Sequence, residues 1–464
     1  MKPHYKWAGL ASALALSLAA IPAFAEPVTM QNAMAVAIDS NPQIGQAEMN
    51  KQAIEFEMEQ AHGLYLPRVT LEMSAGVRRL ENATRRALGI ADQELYPLEA
   101  QARLEQTLID FGRRRGERLR QAARVDGAAL RVLERSEFVA LQTARQYLDV
   151  LLQQRVVAAA EDNLTFHNSL VADLSNGVTA GSISVADLQQ AQERAKAASV
   201  RVTEAREALT NAKIELLSLS GLEVDEVQTP PAMVEKLPAS LSEAIGLTRA
   251  RHPKVLEAMA DVDAANAETK KAAGDFYPTV GLELTGRIGD DIDAFRGETN
   301  DLQGRVVMRW NIFDGGINRA KYQEMVRRAS ESRFRLHETT RDAEADVRRA
   351  WNSKETQTAV FRDLVDQSKA TDELLLSYRQ QFSVGRRSLL DVLDAQNTRF
   401  NVQVRAETAR FSEMFAVYQV LASTNGFLDA FGLSAPESRR VYAREKVNYG
   451  PPAPAELQRR RYPQ

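Results

Sequence analysis

Along four segments of the chain, apolar and polar residues alternate one by one. In 68–77 the apolar set is Val69, Leu71, Met73, Ala75 and Val77, with Arg68, Thr70, Glu72, Ser74 and Gly76 between them. The same period of two runs through 279–288 (Val280, Leu282, Leu284, Ile288) and 302–312 (Leu302, Val306, Met308, Trp310, Ile312). It recurs with smaller side chains at Leu98, Ala100, Ala102 and Leu104. Successive side chains of a strand point to opposite faces, so the pattern predicts strands at about 68–78, 98–109, 279–288 and 302–312. About ten residues suits a tilted membrane-spanning strand, and it suits a half-buried soluble sheet equally well. Four strands cannot close a barrel, and lipid tolerates no open sheet edge. If these strands cross a bilayer, several chains must share one barrel, and three chains of four strands would give about twelve. The connections 79–97 and 289–301 would then be the long outward loops.

Elsewhere the period is helical. No proline interrupts 112–175 or 316–382. Leu130, Leu133, Leu141, Leu148 and Leu152 recur at helical spacing in one, and Val347, Trp351, Phe361, Val365, Leu374, Tyr378 and Phe382 in the other. Helices are predicted over about 113–175 and 316–382, each roughly 90–100 Å long at 1.5 Å per residue. A helix of that length needs other helices beside it throughout. Shorter helices are predicted over 33–66 and 244–277, each ending at the proline before a strand, and over 184–221 and 388–430.

This order occurs twice, because the chain is an internal duplication. Ala33, Pro42, Gly63 and Pro67 recur as Ala244, Pro253, Gly274 and Pro278, displaced by 211 positions. Gly181, Ser184, Asp187, Ala191 and Gln192 recur as Gly385, Ser388, Asp391, Ala395 and Gln396, displaced by 204. The expected organisation is a first repeat over 26–229 and a second over 230–433, joined at Pro230-Pro231. A basic, proline-rich tail over 434–464 carries seven Lys or Arg against three Glu and is expected to be disordered.

Composition sets the compartment. Lys2, His4 and Lys6 precede an apolar run over 7–21 that closes on Ala23-Phe24-Ala25, so 1–25 reads as an export signal with the mature chain starting at Glu26. There is no cysteine, hence no disulfide framework and no thiol for an N-terminal lipid. No later stretch of about 18 apolar residues exists, which excludes a helical inner-membrane protein. A net charge of −3 with interspersed signs gives no case for nucleic acid. No phosphate-binding loop is present, and His4, His62, His167, His252 and His337 lack paired ligand spacing. No cofactor and no enzyme are implied. Arg113-Arg114-Arg115 opens a helix against its dipole and could as well meet anionic headgroups as water.

The duplicated helix–hairpin–helix, with Trp310-Asn311-Ile312-Phe313-Asp314-Gly315-Gly316 leaving the fourth strand and 382–395 (FSVGRRSLLDVLDA) opening the last helix, resembles the TolC family of outer-membrane factors. The resemblance runs from about Ala33 to Leu433. It implies a mostly α protein with a membrane β-barrel portion: a homotrimer with a twelve-stranded outer-membrane barrel and a long helical periplasmic tunnel. Its partners would be a periplasmic adaptor protein, an inner-membrane transporter (ABC or proton-driven) and outer-membrane lipid.

Asp391 and Asp394 share one helix face at i, i+3, and trimer symmetry would gather six carboxylates around one opening, a cation-favouring ring. Without the resemblance such a pair reads as solvated; the family has an acidic ring at these positions. By the same resemblance Asp187 and Arg387 match a gate pair, with Phe382 standing where the family usually has a tyrosine. Val178, Gly181, Ser184, Val384, Gly385 and Ser388 match the adaptor-facing hairpin tips. The implied function is a passive export duct. Type I protein secretion stands ahead of drug efflux, because many drug-efflux members carry a lipidated N-terminal cysteine. A reading of another class is a soluble periplasmic coiled-coil scaffold.

Overall fold

A computed structural model describes residues 28–449; the signal segment and the last fifteen residues of the expected tail (450–464) lie outside the described residues. The first half runs α1 (Met30–Ser40), α2 (Pro42–Gly63), β1 (Arg68–Ala75), β2 (Leu98–Ile109), α3 (Arg113–Thr179) and α4 (Val185–Ser220). The second runs α5 (Leu241–Arg251), α6 (Pro253–Ala273), β3 (Thr279–Asp290), β4 (Glu298–Arg309), α7 (Ile317–Ser383) and α8 (Leu389–Ser423). α3 and α7 have 67 residues each, about 100 Å of helix.

Each helix predicted as continuous over 33–66 and 244–277 is two helices. Pro42 and Pro253 sit at the first position of α2 and α6, where proline's missing N–H costs nothing. The residues before them, Asn41 and His252, are pushed to extended geometry. The last helix ends at Ser423 and not at 430. Asn425 takes a left-handed conformation there, Gly426 N–H bonds the Leu421 carbonyl, and a separate turn, α9 (Phe427–Ala430), follows.

The four strands form one antiparallel sheet in the order β1-β2-β3-β4. Register pairs Leu71 with Ala102, Leu104 with Leu284, and Val306 with Leu282, so the apolar sets lie on one face. The other face carries cross-strand ion pairs: Arg68 with Glu105 at 2.8 Å, and Arg305 with Glu283 at 2.8 Å, which Arg309 also contacts. β4 runs over 298–309 and not 302–312. β3 begins only after Pro278, so residues past Arg309 have no partner across the ladder. β1 stops at Ala75 because the ladder reaches Pro97, which has no N–H to give.

The connections within the two strand pairs fold together. Asn82 caps a helical turn (Ala83–Ala87), and Arg85, fully buried, donates to the carbonyls of Ile90 and Gln93 (2.7 Å each) and of Ala294 in the other connection.

At the strand–helix junctions Asp110 accepts the N–H of Gly112 and Arg114, and Asp314 accepts that of Gly316 and Asn318, so each long helix starts on a carboxylate that offsets its dipole. Arg114 also bonds Asp110 through its side chain, and Arg113 pairs with Asp275 at 3.0 Å. Two of the three arginines are thereby occupied within the chain.

The main core joins α1, α3, α4 and α8 through Met30, Met34, Tyr147, Leu148, Leu216 and Tyr418. Tyr147 donates to the carbonyls of Val28 and Gln228, and Tyr418 to Pro231, so the segment joining α4 to α5 is stapled to both α3 and α8.

Tail residues 434–449 contradict the expected disorder. Ala435 and Ala443 are buried, and a short helix, α10 (Ala443–Lys446), starts on Asp126 of α3. That carboxylate accepts the N–H groups of Tyr442, Ala443 and Arg444 at 2.8–3.1 Å. Arg444 then bridges Asp126 (2.8 Å) and Asp263 of α6 (2.7 Å). Net charge and proline content misled here, because Arg444 and three backbone N–H groups of the segment find buried carboxylates.

Candidate functional site

The hairpin ends opposite the sheet carry most of the sequence-predicted site residues, and their geometry comes from local sequence. α3 reverses through Gly181 (φ +74°), whose N–H bonds the Val178 carbonyl while that of Ser182 bonds Gly177. α7 reverses through Gly385 (φ +72°) by the same pair of bonds, Gly385 to Phe382 and Arg386 to Gln381. Both turns need a left-handed residue, which glycine supplies without steric cost. Val178 and Phe382 are thus equivalent positions of the two hairpin turns. Gly181, Ser184, Val384, Gly385 and Ser388 are exposed; Val178 is half-buried.

The returning helices start on Ser-x-x-Asp caps. Ser184 Oγ accepts the Asp187 N–H (3.1 Å) and donates to Asp187 Oδ2 (2.8 Å). Ser388 and Asp391 form a full capping box: Oγ to Oδ2 2.7 Å, and Ser388 N–H to Oδ2 3.3 Å. The Ser388 hydroxyl first, with its N–H and nearby Arg387, holds the Asp391 carboxyl below its ordinary value. Sequence reasoning named Asp187 and Asp391 without this role, although the Ser-x-x-Asp spacing signals it. The cap's contribution is present at neutral pH and is lost only as pH falls below the usual aspartate value near 3.9. Ser184→Ala and Ser388→Ala are each expected to cost about 1 kcal/mol, read as faster amide exchange in the first turn of α4 or α8.

Asp394 lies one turn beyond Asp391, exposed, with no ion pair or hydrogen bond among the described residues. Arg387 lies against its own hairpin: its guanidinium is 4.2 Å from the Tyr378 ring centre, bonds Gln381 at 3.2 Å, and is 3.9 Å from Asp391. It makes no bond to Asp187 within the chain. Phe382 packs between the hairpins against Leu174, Leu389 and Leu393 on one side and Leu375 and Val392 on the other.

Above the tips α8 is tied to three helices. Arg399 bridges Asp372 of α7 (2.6 Å) and Asp162 of α3 (3.1 Å), and Arg201 of α4 bonds Asn397 at 3.0 Å. Gln396 donates to Asn163 at 2.8 Å in a fully buried polar pair next to buried His167. Sequence reasoning missed this layer. Its only signal was two polar residues at i, i+4 in an apolar stripe.

Among the described residues no helix is long and apolar enough to cross a membrane. The sheet is different. Its apolar face is covered by nothing among the described residues: Val69 and Leu71 are 68% exposed, Leu302 84%. Aromatics ring its helix-side border, with Phe111 stacked on Tyr277 at 5.1 Å and Trp310 Nε1 bonded to the Phe276 carbonyl at 3.1 Å.

Long paired hairpins carrying such a sheet are the build of an outer-membrane channel protein, not an enzyme. The chain belongs to the outer membrane efflux protein family, whose sequence model matches residues 34–222 and 244–421. It is 26% identical over 298 residues to the outer membrane efflux protein BepC of Brucella suis, a match covering 64% of this chain and 65% of that protein's length. It is 24% identical over 238 residues to the alkaline protease secretion protein AprF of Pseudomonas aeruginosa, covering 50% of this chain and 49% of that protein. In fold it matches the CmeC outer membrane channel of Campylobacter jejuni with a TM-score of 0.76 at 14% identity, over 90% of this chain and 89% of that one.

Proposed function

We propose that three copies of this chain close a twelve-stranded barrel in the outer membrane and form a passive exit duct of a tripartite export system. The observation that carries the reading is the sheet: among the described residues its apolar face is uncovered and its two edges, β1 and β4, are unpaired. Lipid satisfies the face, and only strands of neighbouring copies satisfy the edges. Aromatics at the sheet border suit the headgroup level. The mature chain would be two repeats, 26–229 and 230–433, after removal of 1–25.

At the far end of the hairpins, Val178, Gly181, Ser184, Val384, Gly385 and Ser388 would meet a periplasmic adaptor protein coupled to an inner-membrane transporter. Asp391 and Asp394 would form the acidic ring of the pore. Asp187 and Arg387, unjoined within one chain, would link neighbouring copies beside Phe382, which offers packing but no hydroxyl. Type I protein secretion is the first cargo reading, supported by the protease secretion relative AprF. Small-molecule efflux is the second, favoured by BepC, named as an efflux protein.

Purified protein in mild detergent is expected to run as a trimer by cross-linking and mass, and to open ohmic pores in planar bilayers. A monomer soluble without detergent that opens no pores would refute the reading.

A further inference from the structure

On the polar face of the sheet, charge is sorted by height. The half of the ladder nearer the helices carries Arg68, Arg103, Arg305 and Arg309 against Glu105 and Glu283, a surplus of two positive charges per chain. The outer half carries Arg287 against Glu72, Glu99 and Asp301. Within the helix-side half the charges are sorted again. Glu105 and Glu283 lie directly opposite each other on the central strands β2 and β3. Arg68 lies on one edge strand, β1, and Arg305 and Arg309 on the other, β4. Each carboxylate is shared by two arginines: Glu283 by Arg305 (2.8 Å) and Arg309, Glu105 by Arg68 (2.8 Å) and more loosely by Arg103 (3.9 Å). The acids lie beneath. The Glu283 side chain is 7% exposed, whereas those of Arg309 and Arg68 are 68% and 78% exposed. What this face offers to solvent is guanidinium, with N–H donors beyond those its carboxylates take.

We propose that, where β4 of one copy meets β1 of the next, this face binds a small polyvalent oxyanion between Arg305 and Arg309 of one chain and Arg68 of the neighbouring copy. The inference rests on the trimeric barrel proposed above, which makes the polar face the wall of the lumen. Joining the two edges brings three guanidiniums together with neither Glu105 nor Glu283 between them, because both acids sit on central strands. Like charges side by side across a strand pair repel, and an anion between them removes the repulsion.

Chemistry selects the occupant. The planar guanidinium fork matches paired oxygens of a phosphate or carboxylate. A surplus of two charges at each junction is balanced by a divalent or higher anion and not by a single chloride. Lipid lies against the other face of the sheet, so a headgroup does not reach these arginines. Three such junctions make a positive girdle where the barrel meets the helices, opposite in sign to the acidic ring proposed for Asp391 and Asp394 at the hairpin tips. Anionic groups entering the barrel therefore meet a second electrostatic station, on which they bind.

Single-channel recording of the full chain in planar bilayers, with inorganic tripolyphosphate as the probe, tests this. The parent pore is expected to be blocked by the anion in about 0.1 M salt, where charges act over about 10 Å. The double variant Arg68→Gln with Arg309→Gln removes the surplus and still leaves each acid one arginine: Glu105 keeps Arg103, and Glu283 keeps two bonds from Arg305, at 2.8 and 2.9 Å. It should open pores like the parent and weaken the block at least about tenfold, with block by hexamminecobalt unchanged. Arg287→Gln removes an arginine of the same face from the outer half, and should weaken the block less than about threefold. Parent pores that tripolyphosphate does not block overturn the proposal. So does undiminished block in the double variant, or an equal loss in Arg287→Gln. A chain that opens no pores at all refutes the barrel reading, and this site with it.

Discussion

Arg444→Ala is expected to lower the unfolding free energy by about 3–5 kcal/mol, the usual cost of removing one partner from a buried ion network. Among the described residues Arg444 is the only link that touches both Asp126 on α3 and Asp263 on α6, through bonds of 2.8 and 2.7 Å. Asp126 is fully buried and Asp263 nearly so. Asp126 keeps three backbone N–H donors after the substitution, so the charge left most exposed to penalty is Asp263. The double variant Arg444→Ala with Asp263→Asn should therefore recover much of the loss, because the neutral amide no longer needs a cation. Denaturant midpoints of parent, single and double variants measure the coupling, and protease cleavage within 434–449 reports release of the segment. An Arg444→Ala chain that unfolds at the parental midpoint with an intact tail would remove the strap from the account.

The second large effect concerns conduction and rests on the proposed trimeric pore. Asp394→Asn is expected to weaken block by a trivalent cation such as hexamminecobalt by at least about tenfold, because three of six clustered carboxylates lose their charge while their geometry stays. Asp394 has no partner among the described residues, so its amide should leave folding unchanged. Asp391→Asn is expected to weaken block as well, but to loosen the first turn of α8 at the same time, since this carboxylate closes the cap with Ser388. The two variants thus separate the charge from the cap. Single-channel recordings at low and high salt decide it, since screening at 1 M shortens the reach of the ring to about 3 Å. Equal block in parent and Asp394→Asn at low salt would leave this aspartate as surface charge.

Several features were written in short stretches of the chain. Alternation at Val69, Leu71 and Met73 requires only the two-residue pleat. The unbroken helical period after Gly112 and Gly316 requires only the 3.6-residue turn, and the hairpin reversals at Gly181 and Gly385 and the Ser-x-x-Asp starts require only neighbours within five positions. The recurrence at 211 and 204 positions then gave the expectation that one unit is used twice. The break at Pro42 was equally local, though the helix was drawn through it: a proline opens a helix as readily as it ends one.

What tertiary structure alone decided are pairings between residues hundreds of positions apart, for which no period exists. Asp126 and Arg444 are separated by 318 positions, Asn163 and Gln396 by 233, Arg85 and Ala294 by 209. In the sequence Asp126, Asn163 and Arg85 read as polar residues of no special standing, Gln396 only as a landmark of the recurrence, and Arg444 even counted toward a disordered tail. Burial is what gives them meaning: a buried charge or amide must find a partner, and only the packed arrangement of helices says which one is within reach. The local code therefore determined which elements exist and which face of each is apolar. The folded chain determined which polar groups share the interior.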